Sequence, residues 1–276
     1  MVIQSSGSIS MSQLRSEFVG GTSSISFSSL YQNAASGYAI AVDGIPNTGA
    51  ALQASKFYGK AKVNNYNNLI LFLDGKNTSS YPGTGVTWTD LSSKGNTVTL
   101  NGNSYTSLGS GAITFNGSTT YLYRSTFTGM NSTNWTAIYY IYAASVGGVI
   151  AQLNRSPSSA DQEYMLSMNS FWDYDSGYGY NGAGPSTSIT SVGWYQVAFV
   201  RNGTTATWYL NGNANGNSFA SKNALYGSTA FCIGKDYRDD NSFFNGYLGF
   251  MMMYNYSLSA AEISANYTNY RSRYGL

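Results

Sequence analysis

The sequence predicts an all-β fold: a two-sheet antiparallel sandwich over residues 69–276, with a small N-terminal segment before it and a short helix near its C-terminus. Two observations predict this fold. From Leu69 onward, short apolar, aromatic and β-branched runs alternate with turns rich in Gly, Asn and Ser, at spacings typical of sandwiches. Charged residues make up only 9% of the chain, against roughly a quarter in an average soluble domain. The surface is therefore expected to be neutral, aromatic and rich in hydrogen-bonding groups.

The predicted strands can be followed along the chain. The run from Asn68 to Leu73 opens the series, and Trp135–Tyr142 is aromatic and β-branched, as strands are. Residues 194–200 and 205–210 flank an Asn202-Gly203 pair that suits a type I′ turn. We expect these two runs to form a β-hairpin.

Residues 246–254 are apolar on both faces of a strand. Strict alternation puts Leu248, Phe250, Met252 and Tyr254 on one face and Tyr247, Met251 and Met253 on the other. A central strand that is covered on both sides is the favoured interpretation, and a Met-rich partner surface is the alternative.

The convincing helix follows Leu258. Ser259 and Glu262 have the spacing of a capping box, in which the N-cap hydroxyl and the N3 carboxylate each bond the other's backbone N–H. The helix that begins there is expected to place Ile263 and Tyr267 on its apolar face.

Composition excludes several classes of function. The formal net charge is +2 with no Lys/Arg cluster, so the basic surface of a nucleic-acid-binding protein is missing. No apolar run approaches the length that spans a bilayer, and the N-terminus has no signal-peptide pattern. We expect no nucleic-acid partner, no membrane anchor and no signal for secretion.

The available side-chain chemistry narrows the choice further. The chain contains no histidine, which excludes Ser-His and Cys-His nucleophiles and every His-ligated metal. The single cysteine, Cys232, cannot form an internal disulfide and is expected to be a buried small hydrophobe rather than a reactive thiol. Carboxylates, Tyr and Lys remain as groups for chemistry.

Residues 1–62 differ from the rest of the chain and contain a weak repeat. Three Ser-rich units each place an apolar residue five positions before another, and three such units are too few to bury their own apolar faces. We predict an attachment or oligomerisation segment that docks on its own sandwich, on copies of itself or on another protein. A leader without a partner is the alternative. The predicted contact residues are Ile9, Leu14, Phe18, Ile25, Leu30, Tyr31, Leu52, Phe57 and Tyr58.

Several motifs between residues 69 and 276 occur in a recognisable order. The first is the stretch from Leu71-Phe-Leu-Asp74-Gly to Trp88-Thr-Asp90-Leu91-Ser92, and the later ones are residues 112–121, 194–212, 231–246 and 254–263. Together they resemble concanavalin A-like, laminin-G-type jelly-roll domains over about three quarters of the chain. The resemblance implies a two-sheet jelly-roll sandwich. Because that family spans lectins, glycosidases and interaction modules, it leaves the function open.

Both ends of the chain resemble viral proteins. The opening motif, together with the terminal Tyr270-Arg-Ser-Arg-Tyr274-Gly275 tail, is similar to domains on virion proteins of tailed phages and large viruses. The N-terminal Ile-Ser-x-Ser-x-Leu units resemble segments that precede such domains in phage structural proteins. The resemblance implies a protein of the particle surface, made in the host cytoplasm. Its partners would be other virion proteins and copies of itself, bound through residues 1–62.

The sequence lacks the catalytic pattern of this fold. Glucanases of the fold resemble one another in a Glu-x-Asp-x-x-Glu strand, because retaining hydrolysis needs two carboxyls about 5 Å apart. Here Asp173 and Asp175 are expected to share a strand face without flanking glutamates, and the nearest one, Glu163, is distant. We therefore expect no enzyme activity, and a polysaccharide-degrading glycosidase is the least favoured function.

The same stretch is better interpreted as a ligand-binding loop. Tyrosines offer rigid aromatic surfaces to sugars, and aspartates accept hydrogen bonds from sugar hydroxyls, on a backbone made adaptable by glycines. The alternative is a surface loop that is rich in Tyr only because the whole chain is. The predicted ligand-binding residues are Asp173, Tyr174, Asp175, Tyr178 and Tyr180.

A second polar cluster lies between the last two predicted strands. Asp236, Asp239 and Asp240 supply three carboxylates within five residues, and such hard oxygen ligands suit Ca²⁺. Lys235 and Arg238 neutralise part of this charge. The favoured interpretation is a salt-bridged loop with no cofactor, and a Ca²⁺ site is the alternative.

These expectations combine into one predicted function. The chain is expected to be a non-enzymatic virion structural protein of the tail-fibre, spike or capsid-decoration type, attached through its N-terminal segment. Its sandwich would face outward and bind host surface polysaccharide. A dedicated receptor-recognition lectin is the alternative, and the two roles can coexist.

Overall fold

The computed structural model describes residues 68–130, 133–154, 162–167, 171–175, 179–181, 189–216, 218–220, 229–236 and 242–276. Contacts divide the chain into a sandwich, Asn68–Leu258, and a second unit that contains Ser259–Leu276. All nine predicted attachment residues, from Ile9 to Tyr58, lie outside the described residues. The assignment of an attachment segment to residues 1–62 therefore stays a prediction.

The sandwich is built from antiparallel strands, most of them short. The described strands are, in chain order, β1 Leu69–Asp74, β2 Thr87–Trp88, β3 Val98–Asn101, β4 Tyr105–Thr106, β5 Ala112–Asn116, β6 Tyr121–Phe127, β7 Asn134–Ala143, β8 Val149–Asn154, β9 Gln162–Ser167, β10 Phe171–Asp175, β11 Gly179–Asn181, β12 Gly193–Asn202, β13 Thr205–Leu210, β14 Asn213–Ala214, β15 Phe219–Ala220, β16 Thr229–Ile233 and β17 Asn245–Tyr254.

In the described residues these strands form two sheets. The nine-stranded sheet has the order β14-β13-β12-β7-β17-β5-β4, with β1 added to β17 and β15 to β13. The eight-stranded sheet has the order β11-β10-β9-β8-β16-β6-β3-β2. The prediction of an antiparallel two-sheet sandwich is confirmed.

An apolar core fills the space between the two sheets. The nine-stranded sheet contributes residues such as Trp135, Phe199 and Trp208, and the eight-stranded sheet contributes residues such as Phe127 and Phe231. Phe127 and Phe231 lie on neighbouring strands, with ring centroids 4.9 Å apart. Cys232 is buried, as predicted from its apolar neighbours.

Strand β17 is central and buried on both faces, as predicted, but its alternation is interrupted. It pairs with β1, β5 and β7, and its register against β7 shifts between Leu248 and Phe250. Because a bulge adds one residue, Leu248 joins Met251 and Met253 in the core between the sheets. The expectation that Leu248 shares a face with Phe250 is therefore wrong.

The predicted hairpin between β12 and β13 is present, with a different turn. Asn202 pairs with Thr205, so the two loop residues are Gly203 and Thr204 rather than Asn202 and Gly203. Gly203 has a φ of 60°, and a type II′ turn requires glycine at that first central position. The Asn-Gly pair therefore marks the hairpin, while a one-residue offset changes the turn type from the expected I′.

The second unit contains the predicted helix, α1 (Ala260–Tyr270). Ser259 is its N-cap, and both hydrogen bonds of the capping box with Glu262 are present. Ile263 is buried as expected, together with Asn266, Asn269 and Tyr270, whereas Tyr267 is only half-buried. In the described part of the chain, no helix is long and apolar enough to cross a membrane.

Candidate functional site

Four of the five predicted ligand-binding residues lie in one hairpin at the edge of the eight-stranded sheet. Tyr174 in β10 pairs in register with Tyr180 in β11, and Asp173 pairs with Asn181. Asp175 ends β10, and Tyr178 lies outside the described residues. The sequence suggested a loop, but aromatic residues favour strands, so most of the segment is a paired β-ribbon.

The second predicted site is described only in part. Asp236 follows β16 and is 4% exposed, whereas Asp239 and Asp240 lie outside the described residues. The neighbouring Lys235 is also buried and places its Nζ 4.0 Å from the centroid of the Tyr121 ring. Among the described residues, no three His, Cys, Asp or Glu side chains form a metal-binding group. The choice between a Ca²⁺ site and a salt-bridged loop stays a prediction.

The two predicted sites lie toward opposite ends of the eight-stranded sheet. Ile233, the last residue of β16, pairs with Ala151 in β8, Ala151 pairs with Leu166 in β9, and Leu166 pairs with Phe171 in β10. Ile233 and Phe171 therefore lie at the same height along the strands. Asp175 lies four residues after Phe171, about 13 Å from it along β10, in the direction opposite to that in which Asp236 follows Ile233. The three strand spacings between β10 and β16 separate the two strands by about 14 Å. A single ion cannot bridge both, so they would be separate sites.

Asp90, one of the acidic residues in the opening motif, has a structural role. Its carboxylate accepts hydrogen bonds from the backbone N–H groups of Phe72, Ser92 and Asn96 at 2.7–2.8 Å. The amide of Asn96 in turn donates to the carbonyl oxygen of Ile70 at 2.8 Å. This buried network fixes the connection between β2 and β3 against β1.

Two further described carboxylates also serve the backbone. Asp74 accepts a hydrogen bond from the N–H of Lys76 at 2.9 Å in the turn after β1. Glu262 accepts one from the N–H of Ser259 at 2.8 Å as part of the capping box. With Asp90, three of the described acidic side chains therefore act in turns and caps.

The structure also assembles a feature that the sequence analysis did not single out, here called the aromatic row: Trp194, Tyr142 and Tyr247. These residues are register partners on the adjacent strands β12, β7 and β17. The ring centroids are 5.7 Å apart for Tyr142 and Trp194, and 5.2 Å apart for Tyr142 and Tyr247. All three side chains are half-buried.

The aromatic row lies on the outer face of the nine-stranded sheet. Ile141 and Leu248, the chain neighbours of Tyr142 and Tyr247, belong to the core between the sheets, so the tyrosines point the other way. Each residue is visible in the sequence as part of an aromatic strand. Their alignment depends on pairing between segments about 50 and 100 residues apart, which the sequence pattern does not reveal.

The end of the row beside β5 carries hydroxyl groups. Tyr247 pairs with Thr114, whose Oγ1 lies 2.7 Å from the Oγ of Ser104. The Asn103 side chain donates to the carbonyl oxygen of Thr114 at 2.8 Å. The aromatic row and this hydroxyl pair thus form a surface of ring carbons and neutral hydrogen-bonding groups.

Several solved structures share this fold at low sequence identity. Domain 4 of AbnA, a GH43 extracellular arabinanase from Geobacillus stearothermophilus in complex with arabinotriose, matches with a TM-score of 0.55 and 13% identity, covering 72% of this chain and 98% of that one. Trypanosoma rangeli sialidase in complex with sialic acid matches with a TM-score of 0.57 and 14% identity, covering 81% and 36%. The receptor binding domain of botulinum neurotoxin C/D mosaic serotype matches with a TM-score of 0.52 and 13% identity, covering 74% and 51%.

These similarities concern the fold. The chain spans about a third of the sialidase and about half of the toxin domain. No curated protein matches the sequence. A model of the concanavalin A-like lectin/glucanases superfamily matches residues 115–264, more than half of the chain. The chain therefore belongs to the concanavalin A-like lectin/glucanase superfamily.

Proposed function

We propose that this protein is a non-enzymatic structural protein of a virion surface, of the tail-fibre, spike or capsid-decoration type, whose lectin-like sandwich binds host surface glycans. The observation that carries the glycan-binding part is the β10–β11 hairpin. Tyr174 and Tyr180 are register partners on one face of this ribbon, and Asp173 and Asp175, the chain neighbours of Tyr174, belong to its other face. The ribbon is the outermost of the described strands of its sheet, which leaves one side of it without a described neighbour.

The chemistry of this hairpin fits a sugar. Tyrosines supply rigid amphipathic surface at a low entropic cost, and carboxylates accept hydrogen bonds from sugar hydroxyls. Domain 4 of the arabinanase, almost the whole of which this chain covers, is in complex with arabinotriose, which makes arabino-oligosaccharides a rational first probe.

The non-enzymatic part rests on the carboxylates. Retaining hydrolysis needs two carboxyls about 5 Å apart, whereas Asp74, Asp90 and Glu262 make hydrogen bonds with turns, caps and connections. The chain also has no histidine to act as a general base. Release of reducing sugar that vanished in Asp173→Ala would contradict this part.

Glycan binding is tested on an array that includes arabino-oligosaccharides, sialylated glycans and bacterial polysaccharides, with the full chain as probe. We expect specific binding that falls at least about tenfold in Asp175→Ala and in Tyr178→Ala. Ser79→Ala, an exposed change in the turn after β1, serves as the control. A wild-type protein that bound nothing across the array would leave an architectural role and refute the glycan-binding proposal.

The attachment part concerns residues 1–62. We expect a chain of residues 63–276 to be a soluble monomer that enters neither particles nor oligomers, while the full chain does both. Gel filtration with light scattering and co-sedimentation with particles measure this difference. Normal assembly of the truncated chain would refute the proposal. Specific glycan binding by a full chain that never joins a particle would favour the alternative, a dedicated receptor-recognition lectin.

The loop that follows β16 is proposed to need no cofactor. The buried ammonium of Lys235 already supplies positive charge next to Asp236 in the chain. We expect 5 mM EDTA and 5 mM CaCl₂ to give the same unfolding temperature, because an ion that binds only the folded state stabilises it by mass action. A rise in Tm with calcium that was lost in Asp236→Asn would instead establish the Ca²⁺ site.

A further inference from the structure

We propose that the aromatic row, Trp194–Tyr142–Tyr247, is a second glycan-binding site, which takes a neutral polysaccharide chain. It lies on the nine-stranded sheet, whereas the β10–β11 hairpin lies on the other sheet. The two sites can therefore be tested separately.

Burial changes along the outer face of the nine-stranded sheet. Two residues before Tyr142 on β7, Tyr140 stacks on Phe250 at 4.4 Å and both are completely buried. Tyr142 and Tyr247 keep part of their side chains exposed. The aromatic row is thus the place where this apolar face reaches solvent.

The shape of the aromatic row suits an extended ligand. Its residues occupy one register level on three hydrogen-bonded strands, so the row runs across the strands at their spacing of about 4.8 Å. Aromatic side chains that follow a line provide contact surface for successive units of an extended chain. A site built on central strands is also more rigid than one built on loops.

Backbone packing holds this line in place. Gly246 precedes Tyr247, and a Cβ atom at position 246 would overlap the carbonyl oxygen of Tyr142. Strands β7 and β17 therefore approach closely at the level of the row. This contact fixes the two tyrosines in register.

The residue types in and beside the row indicate the class of ligand. The row and its hydroxyl pair, Ser104 and Thr114, contain no charged side chain. Phenol, indole and alcohol groups suit uncharged sugar hydroxyls and C–H surfaces, whereas an anionic ligand calls for Arg or Lys.

The size of the row favours a sugar chain over a protein partner. A stable protein interface buries about 800 Å² on each partner, but the row is only three rings wide and adjoins positions such as Tyr140 and Phe250 that are already buried. A polysaccharide needs only a narrow contact surface.

The experiment measures binding of the full chain to cellulose, xylan, linear arabinan and mannan by sedimentation and affinity electrophoresis, with alginate and heparin as acidic probes. We expect binding to at least one neutral polymer and weaker retention by the acidic ones. Trp194→Ala and Tyr247→Ala should each lower affinity about fivefold to tenfold, and the double variant should abolish measurable binding.

Control variants separate binding from folding. Tyr256→Ala removes another exposed ring, one outside the row, and should bind as the wild type does. Trp194→Tyr and Tyr247→Phe keep a ring at each position and should retain most of the affinity. The unfolding temperature of each variant is measured beside its affinity. An alanine variant that binds weakly but unfolds at the same temperature as its ring-keeping counterpart has lost a contact and not its fold.

Four results would overturn the inference. Binding to neutral polymers that survives in the double variant but is lost in Asp175→Ala would leave only the hairpin site. A wild-type chain that bound the glycan array through the hairpin but none of the four neutral polymers would have the same meaning. A wild-type chain that bound neither the glycan array nor any of the polymers would refute this inference and the proposed glycan binding together. A change in self-association of the row variants in sedimentation velocity, with unchanged polysaccharide binding, would identify the row as a contact between copies.

Discussion

The carboxylate of Asp90 accepts a hydrogen bond from the backbone N–H of Phe72 at 2.8 Å. The carbonyl oxygen of Phe72 in turn accepts one from the N–H of Leu91 at 2.8 Å. Strand β1 pairs with β17 along one edge. At its other edge, the segment around Asp90 makes hydrogen bonds with the backbone of Phe72. A side chain and a short loop thus satisfy groups that a further strand would otherwise pair.

We expect Asp90→Ala to destabilise the sandwich by about 3 kcal/mol, because three backbone N–H groups lose a charged acceptor in a buried place. Asp90→Asn should recover only part of this loss, since its amide group would place a donor against one of these N–H groups. The urea midpoint at constant m-value measures the effect. An Asp90→Ala variant with an unchanged midpoint would contradict this role.

Gly246→Ala is expected to destabilise the protein by about 3 kcal/mol, which is the upper end of the range typical of substitutions that overpack a core. The added Cβ would meet the carbonyl oxygen of Tyr142 and the ring of Phe244, and a backbone atom cannot move aside as a flexible side chain does. Near-ultraviolet circular dichroism should report a disturbed Tyr142–Tyr247 pair. Gly83→Ala is the control, because Gly83 also has a positive φ but no atom near its Cβ position, and it should cost about 1 kcal/mol.

Ser259→Ala is expected to weaken the start of α1 by about 1 kcal/mol, because the capping box loses the hydroxyl that accepts the N–H of Glu262. Amide hydrogen exchange at residues 260–263 should become faster. Thr268→Ala, in the same helix, removes only a hydrogen bond from an exposed hydroxyl to the carbonyl oxygen of Ser264 and should leave these rates unchanged. Equal exchange rates in Ser259→Ala and the wild type would show that the cap contributes nothing.

Alkaline pH is expected to destabilise the sandwich through two buried tyrosines. Burial raises the pKa of Tyr81 and of Tyr209 above the ordinary value of 10.0. Since the folded state favours the neutral phenol, this stability is fully present below pH 10 and is lost as the pH rises through the raised pKa. The double variant Tyr81→Phe/Tyr209→Phe should lose less stability than the wild type between pH 9 and pH 11 in urea titrations. Parallel losses would contradict this account.

The strands that carry a strong local pattern were predictable. Residues 194–200 and 205–210 correspond to β12 and β13, and the Ser259 cap begins α1 as expected. The bulge next to Leu248 and the turn at Gly203 were not predictable, because each depends on how one strand pairs with another. A shift of one residue in strand pairing changes the face of a side chain or the type of a turn. The local sequence pattern does not distinguish two registers that differ by one residue.

The candidate sites show the same division. The sequence singled out Asp173–Tyr180 and Asp236–Asp240 by their composition, and the pairing of the strands then placed the described parts of these segments toward opposite ends of one sheet. The aromatic row was invisible because Trp194, Tyr142 and Tyr247 are far apart in the chain. It exists only where β12, β7 and β17 lie side by side.

The class of fold, most of the strongly patterned strands, the start of the helix and the absence of histidine chemistry could all be predicted from the sequence, because they follow from local periodicity and residue type. The side chains that share a face, the strands that form an edge and the place where an apolar surface reaches solvent became visible only once the strands were paired in three dimensions. Those properties depend on register between distant segments, and the core between the sheets fixes that register.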